Sequence, residues 1–159
     1  MSTLLAAGYV ERALADEWFA HYQYWFGTVT VSDKYENVIL QLVEHSSDEY
    51  DHATELAAWL ARVPREGRIP FALSEVGLRG KQHCGYVHSS GNTPIAIIQD
   101  AIKGESCAIR FYTKFINDIS RADYFGSDLG DILEEILAKE KEHLSDLEKL
   151  RKVYIRDTP

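Results

Sequence analysis

Glu49-x-x-His52 and Glu140-x-x-His143 repeat one spacing in the two halves of the chain. A carboxylate and an imidazole three residues apart lie on one helix face. Together they offer oxygen and nitrogen donors that suit iron, manganese or zinc. A lone acid precedes each pair, Glu17 in the first half and Glu105 in the second, at near-equal intervals. Each half therefore reads as a glutamate followed by Glu-x-x-His.

All six residues fall on stripes that a helix should bury. In steps of three and four, one stripe reads Tyr35, Val38, Leu42, His45, Glu49, His52, Leu56, Trp59, Val63. Another reads Leu129, Leu133, Ile136, Glu140, His143, Leu147, Leu150, Tyr154. Both are apolar at the ends and ionisable at mid-length, the pattern of core-facing bundle helices with a polar centre. Glu17 lies on a stripe with Val10, Leu14, His21 and Tyr24, and Glu105 on one with Ile98, Tyr112, Phe115 and Ile119.

A buried carboxylate without a partner costs several kcal/mol or takes up a proton. Four in one layer would repel one another. A shared metal pair supplies positive charge and uses their lone pairs, while the imidazoles bind it as neutral ligands. The expected site is therefore dinuclear, with Glu17, Glu49, His52, Glu105, Glu140 and His143 as ligands. One Glu-x-x-His alone would be ordinary surface charge; two on apolar seams with two matched acids are not.

Neighbouring residues admit blander readings. His21 and His45 are expected as polar core histidines or as residues that touch the ligands. Tyr24 follows Glu17, and Tyr112 follows Glu105, by seven residues, two turns on and on the same side. They are either core aromatics with satisfied hydroxyls or redox-active partners of the site. Asp48, Asp51, Glu142 and Asp146 read as solvated acids. Cys107 is two residues beyond Glu105, about 200° around the helix, so by position alone it and Cys84 read as buried thiols.

Four helices must hold this layer. Periodicity places them at about 4–26, 34–62, 94–119 and 128–154. Gly27 and Ser32-Asp33 break the first pair, Pro64 and Gly67 end the second helix, Thr93-Pro94 opens the third, and Gly126-Ser127-Asp128 divides the last pair. Two short connections make two antiparallel hairpins. The stretch from about 63 to 93 exceeds the usual loop limit of about 15 residues. It reads as one long crossover with a short helix near 72–78. The expected fold is all-α, a ferritin-like four-helix bundle with one crossover, and the expected organisation a single domain over residues 1–159.

Composition excludes other classes. The 159 residues are 45% hydrophobic and 26% charged, with a formal net charge of -8. That field opposes direct DNA binding and anionic membranes. No basic tail is present, and no apolar run reaches the roughly 18 residues of a membrane span. The start lacks the pattern of a signal peptide, so a cytoplasmic location is expected. Two cysteines cannot build a four-cysteine metal module.

The stretches "ADEWFAHYQYWFG", "EHSSDEYDHA", "GESCAIRFY" and "ILAKEKEHLSDL" resemble, in order and over nearly the whole chain, the Dps-like branch of the ferritin superfamily, the thioferritins. The Glu-plus-Glu-x-x-His pattern is shared with bacterioferritins. Glu-x-Cys in "GESCAI", with a second cysteine in the crossover, points to this branch. The resemblance implies two iron ions per subunit on the six ligands, and a redox thiol pair, Cys84 and Cys107, near them. It implies a twelve-subunit shell, oxidation of Fe(II) preferentially by hydrogen peroxide, storage of ferric mineral, and protection against oxidative stress. Bacterioferritin haem is held by a methionine beside the second-helix glutamate. Here that residue is Tyr50, and Met1 is the sole methionine, so no haem is expected. The few residues after Tyr154 favour the smaller shell. The competing expectation is a di-iron or di-manganese peroxidase or catalase-like enzyme that stores nothing.

Overall fold

The structure, a computed structural model, describes residues 3–63, 78–87, 89, 91, 93–120 and 127–155. Four long helices account for most of them: α1 Thr3–Thr30, α2 Glu36–Arg62, α3 Pro94–Ser120 and α4 Ser127–Ile155. A 3-10 turn, Asp33–Tyr35, leads into α2. The expected short helix near 72–78 lies outside the described residues except at Leu78, which with Arg79 is helical. No strand occurs among the described residues, and none of their helices is long and apolar enough to cross a membrane.

One expectation fails. Gly27 does not end α1, which continues to Thr30. The glycine is there for packing. A Cβ built on it would stand 3.0 Å from Leu42 Cδ1 and 3.3 Å from Ile97 Cγ2. Its missing side chain lets α1 approach α2 and α3 together. Thr28 and Thr30 then return their hydroxyls to carbonyls of the preceding turn, which satisfies groups near the helix end. At the start of α3, Thr93 Oγ1 accepts the Ala96 amide at 3.3 Å beside Pro94, an N-cap that fits the first-turn proline.

Pairwise contacts set the topology. His21 meets Ser46 and Glu17 meets His52, so α1 and α2 are antiparallel. Tyr9 meets Asp118, and Glu17 meets Tyr112, so α1 and α3 are antiparallel too. Arg62 pairs with Asp128 and Asp48 with His143, which makes α2 and α4 antiparallel. It follows that α2 and α3 run the same way on a diagonal. Their connection must return along the full length of the bundle, and this is why it is long.

The described part of that connection forms a strap over α1 and α3. Lys81 pairs with Glu11 at 3.1 Å. The amides of His83 and Cys84 donate to Asp16 Oδ1 at 2.7 and 2.8 Å, and the Val87 amide donates to Gln23. On the other side Cys84 joins Cys107, and Ser89 donates to Asp100.

The core has two apolar parts. One holds Val10, Leu14, Phe19, Leu56, Phe115, Leu133 and Ile136; the other holds Tyr24, Val38, Leu42, Ile98 and Leu147. On α2, α3 and α4 the buried acids and histidines fall between the sequence positions of the two parts, and on α1 Glu17 falls between Leu14 and Tyr24. The polar layer thus divides the core at mid-length.

Candidate metal centre

Each helix delivers its share of the layer from the middle of its buried stripe. Glu17, Glu49, Glu105, Glu140 and His143 are at most 2% exposed, and His52 is 6% exposed. The structure brings all six together. One donor from each of Glu17, Glu49, His52 and Glu140 lies within 4.8 Å of the others, as does one from each of Glu49, Glu105, Glu140 and His143. The two sets share Glu49 and Glu140, so two adjacent cations held there would have these two carboxylates in common.

Both imidazoles turn Nδ1 inward. His52 Nδ1 lies 3.2 Å from Glu17 Oε2 and 3.0 Å from Glu49 Oε2. His143 Nδ1 lies 3.1 Å from Glu49 Oε1. The hydroxyl of Tyr24 donates to Glu105, and that of Tyr112 to Glu17. Both tyrosines expected near the site therefore touch a ligand directly.

The acids are overcrowded. Burial and the neighbouring Glu17 charge push Glu49 up to about 7. Burial, Glu49 and Glu17 push Glu140 up to about 8. Burial and Glu140 hold Glu105 well above the usual carboxylate range. Burial acts the same way on Glu17, but hydrogen bonding and charge from His52 overcome it and leave Glu17 below its ordinary value. His143 rises to about 9 because its bond to Glu49 and that residue's charge outweigh burial. In the absence of a cation, protons must compensate this cluster.

The donors fit a metal pair by a second criterion. Glu105 Oε2 and Glu140 Oε1 are buried with no hydrogen-bond partner among the described residues. His52 Nδ1 stands 3.5 Å from the latter, too far for a good hydrogen bond. Inward lone pairs of this kind are satisfied by a bound ion.

The other expected residues divide. His45 is buried and its ring stacks on His143 at 4.0 Å. Burial and the His143 charge depress it to about 3. His21 points away from the layer, with Nδ1 donating to the Ser46 carbonyl at 2.7 Å. Tyr50 is 49% exposed on the outer face beside Trp18 and His21. Cys84 and Cys107 form a disulfide with Cα atoms 5.6 Å apart. This corrects the buried-thiol reading: the strap carries Cys84 to the flank of α3.

Two partners were missed by sequence. Asp48, read as a solvated acid, accepts from His143 Nε2 at 3.1 Å and is also 3.5 Å from Lys139. Tyr86, on the strap, is 4% exposed and lies in the field of all four glutamates. The position of Asp48 beside Glu49 was a usable signal; nothing in the spacing pointed to Tyr86.

No family model matches the sequence, and no curated protein matches it. Solved structures do. A dodecameric thioferritin, the bacterioferritin-related protein from Bacteroides fragilis, superposes with a TM-score of 0.85 at 26% identity, over 98% of this chain and 89% of that one. Rhodobacter capsulatus bacterioferritin, solved with a metal-free dinuclear site and haem iron in a crystallographic special position, superposes with a TM-score of 0.75 at 20% identity. That match covers 100% of this chain and 91% of the other. The chain has the ferritin-like four-helix-bundle fold, and its likeness to the thioferritin structure supports a place in the ferritin superfamily.

Proposed function

We propose that this protein is a Dps-like mini-ferritin, a cytoplasmic ferroxidase whose 159 residues form one domain and whose subunits assemble into a twelve-membered cage. The observation that carries the reading is the pair of buried donor sets sharing Glu49 and Glu140. The dodecameric relative supports the assembly.

In this reading two Fe(II) ions are the substrate. Glu17, Glu49, His52 and Glu140 hold one, and Glu49, Glu105, Glu140 and His143 the other. Binding displaces the protons that crowd the acids, so iron uptake releases protons. Hard carboxylate oxygens favour Fe(III) over Fe(II), and the site thereby drives oxidation. Each ion gives one electron, and one hydrogen peroxide molecule takes both and two protons to yield two waters. Tyr24 and Tyr112 hold Glu105 and Glu17 in place through their hydroxyls. Ferric product moves to the interior of the shell as mineral, and removing Fe(II) together with peroxide protects the cell from oxidative stress. Protection of DNA is indirect, since a net charge of -8 disfavours neutralisation of phosphates. Manganese or zinc can occupy the same donors, and haem has no part.

The test is Glu49→Ala combined with Glu140→Ala. Peroxide-driven Fe(II) oxidation should be lost while circular dichroism shows an intact helical fold. An unchanged oxidation rate would refute the site. Particle mass and iron per subunit separate storage from the alternative: a small particle that never exceeds two metals per subunit would establish a non-storing peroxidase or catalase-like enzyme.

A further inference from the structure

A column of aromatic rings runs outward from the layer between α1 and α3. Its inner end is Tyr112, whose hydroxyl donates to Glu17. Tyr112 packs edge-on against Phe111 with centroids 5.5 Å apart. Phe111 lies 6.0 Å from Phe115 and 6.2 Å from Tyr9, and Tyr9 stacks on Phe115 at 4.9 Å. All of these are direct ring contacts. Tyr112, Phe111 and Phe115 are buried, and Tyr9 is half-buried at the outer end.

Packing alone needs only the rings, and a phenylalanine at position 9 would serve it. The hydroxyl of Tyr9 has its own setting. It donates to Asp118 Oδ2 at 3.2 Å, and Lys114 Nζ lies 3.4 Å from it while pairing with the same carboxylate. A phenol gives up one electron far more readily than a phenyl ring. With an ordinary pKa near 10, it must lose its proton as it does so. A carboxylate within hydrogen-bond reach is the acceptor such a step needs. The Asp118 side chain is 27% exposed, so the proton passes on to water. Tyr24, on the other side of the layer, leads elsewhere: its ring lies against His45 and His143, and imidazoles are harder to oxidise than a phenol.

Hydrogen peroxide takes two electrons, and one Fe(II) supplies one. A subunit holding a single Fe(II) would therefore release a hydroxyl radical beside its own ligands. We propose that Tyr9 is a one-electron donor to the half-filled centre, connected to it by Phe111, Phe115 and Tyr112. The proposal rests on the reading that the Glu/His layer holds Fe(II). One hydrogen peroxide, one Fe(II), the Tyr9 phenol and one proton from solvent give Fe(III), a neutral Tyr9 phenoxyl radical and two waters. The O–O bond of the peroxide and the O–H bond of Tyr9 break. The Tyr9 proton goes to Asp118 and on to water, and the electron tunnels past the phenylalanine rings without oxidising them.

The experiment loads anaerobic protein with one Fe(II) per subunit, adds one equivalent of hydrogen peroxide and freezes the mixture within milliseconds for electron paramagnetic resonance. The wild type should show a tyrosyl radical, identified by its narrowing when the tyrosines are ring-deuterated. Tyr9→Phe keeps the ring stack and should lower the radical yield several-fold, while spin-trapped hydroxyl radical rises. Asp118→Asn retains an acceptor for the hydrogen bond but takes up no proton, and should slow radical formation several-fold. With two Fe(II) per subunit both variants should oxidise iron at the wild-type rate, which a merely structural defect would not allow. A wild-type radical yield in Tyr9→Phe overturns the proposal, and so does loss of the radical in Tyr24→Phe alone. Wild-type protein that oxidises Fe(II) yet forms no tyrosyl radical also overturns it. Wild-type protein that binds no Co(II) at all instead overturns the reading of the layer itself, and the role of Tyr9 with it.

Discussion

Asp48 shows how a residue can be visible in a sequence and its task invisible. It lies beside Glu49 on an acid-rich face, yet its carboxylate reaches across to α4 and accepts a hydrogen bond from Nε2 of His143. That bond fixes the tautomer and leaves Nδ1 as the donor toward the layer. Asp48→Ala should therefore weaken Co(II) binding by about tenfold, read by absorption titration; an unaltered affinity would show that His143 is oriented by packing alone. That the six candidate ligands share one buried layer was legible, because burial on a helical stripe is a local, periodic signal. The place of Asp48 beside Glu49 was visible too, but its partner was not, because a contact between two helices leaves no trace in the spacing of one. The same crowding makes a pH prediction. Glu49, Glu140, Glu105 and Asp16 all have raised values when folded, and so do His52 and His143. Above about pH 6.5, where an unfolded histidine has lost its proton, the folded metal-free protein still binds more protons than the unfolded chain. Its stability must then fall as pH rises toward 9. His45 and Glu17, shifted downward, act only below that window. The Tm of metal-free protein should thus drop between pH 6.5 and 9, and the gain in Tm on adding metal should grow over the same range. A Tm that climbs through this window would contradict the shifted acids.

Among the elements, the four helices could be read from periodicity, but their ends and the strap could not. Gly27 looks like a stop signal and is a contact point, since what decides its role is the approach of Leu42 and Ile97, both distant in sequence. The strap has no periodicity to read. It is held instead by buried polar residues that α1 offers at Glu11, Asp16 and Gln23. Asp16 matters most of these, because it is 2% exposed and accepts two backbone amides. Its burial drives its carboxyl up to about 7 against the effect of those bonds. Asp16→Ala strands both amides, at about 1–3 kcal/mol for each such group. Faster hydrogen exchange at residues 83–87, together with a lower Tm, is the expected result. Unchanged exchange there would mean that the disulfide alone holds the strap. Asn should be milder than Ala, since it keeps one acceptor.

At the scale of the whole molecule, one face is apolar and exposed. From Trp18 to Ser32 the chain has no Asp, Glu, Lys or Arg, although α1 is at the surface over much of that stretch. Trp18, Tyr22, Trp25 and Val29 follow one another at helical spacing and are 37–62% exposed. Leu40, Val43 and Tyr50 of the antiparallel α2 extend the same face and are 49–61% exposed. A helix apolar on all sides is normally a buried one, and exposed patches of this kind mark association surfaces. Trp and Tyr are also the residue types that dominate binding energy in interfaces. Under the proposed cage assembly, a second copy of the chain is the occupant to expect. A two-fold arrangement would set each α1–α2 face against its equal, since such an interface uses the same patch twice. Trp25→Glu would then place like charges close together in a desolvated contact. Size-exclusion chromatography with light scattering should show the assembly reduced to small species, with the helical content and Co(II) affinity of each subunit retained. An intact twelve-subunit mass in that variant would remove this face from the assembly and leave its aromatic stripe to a different partner.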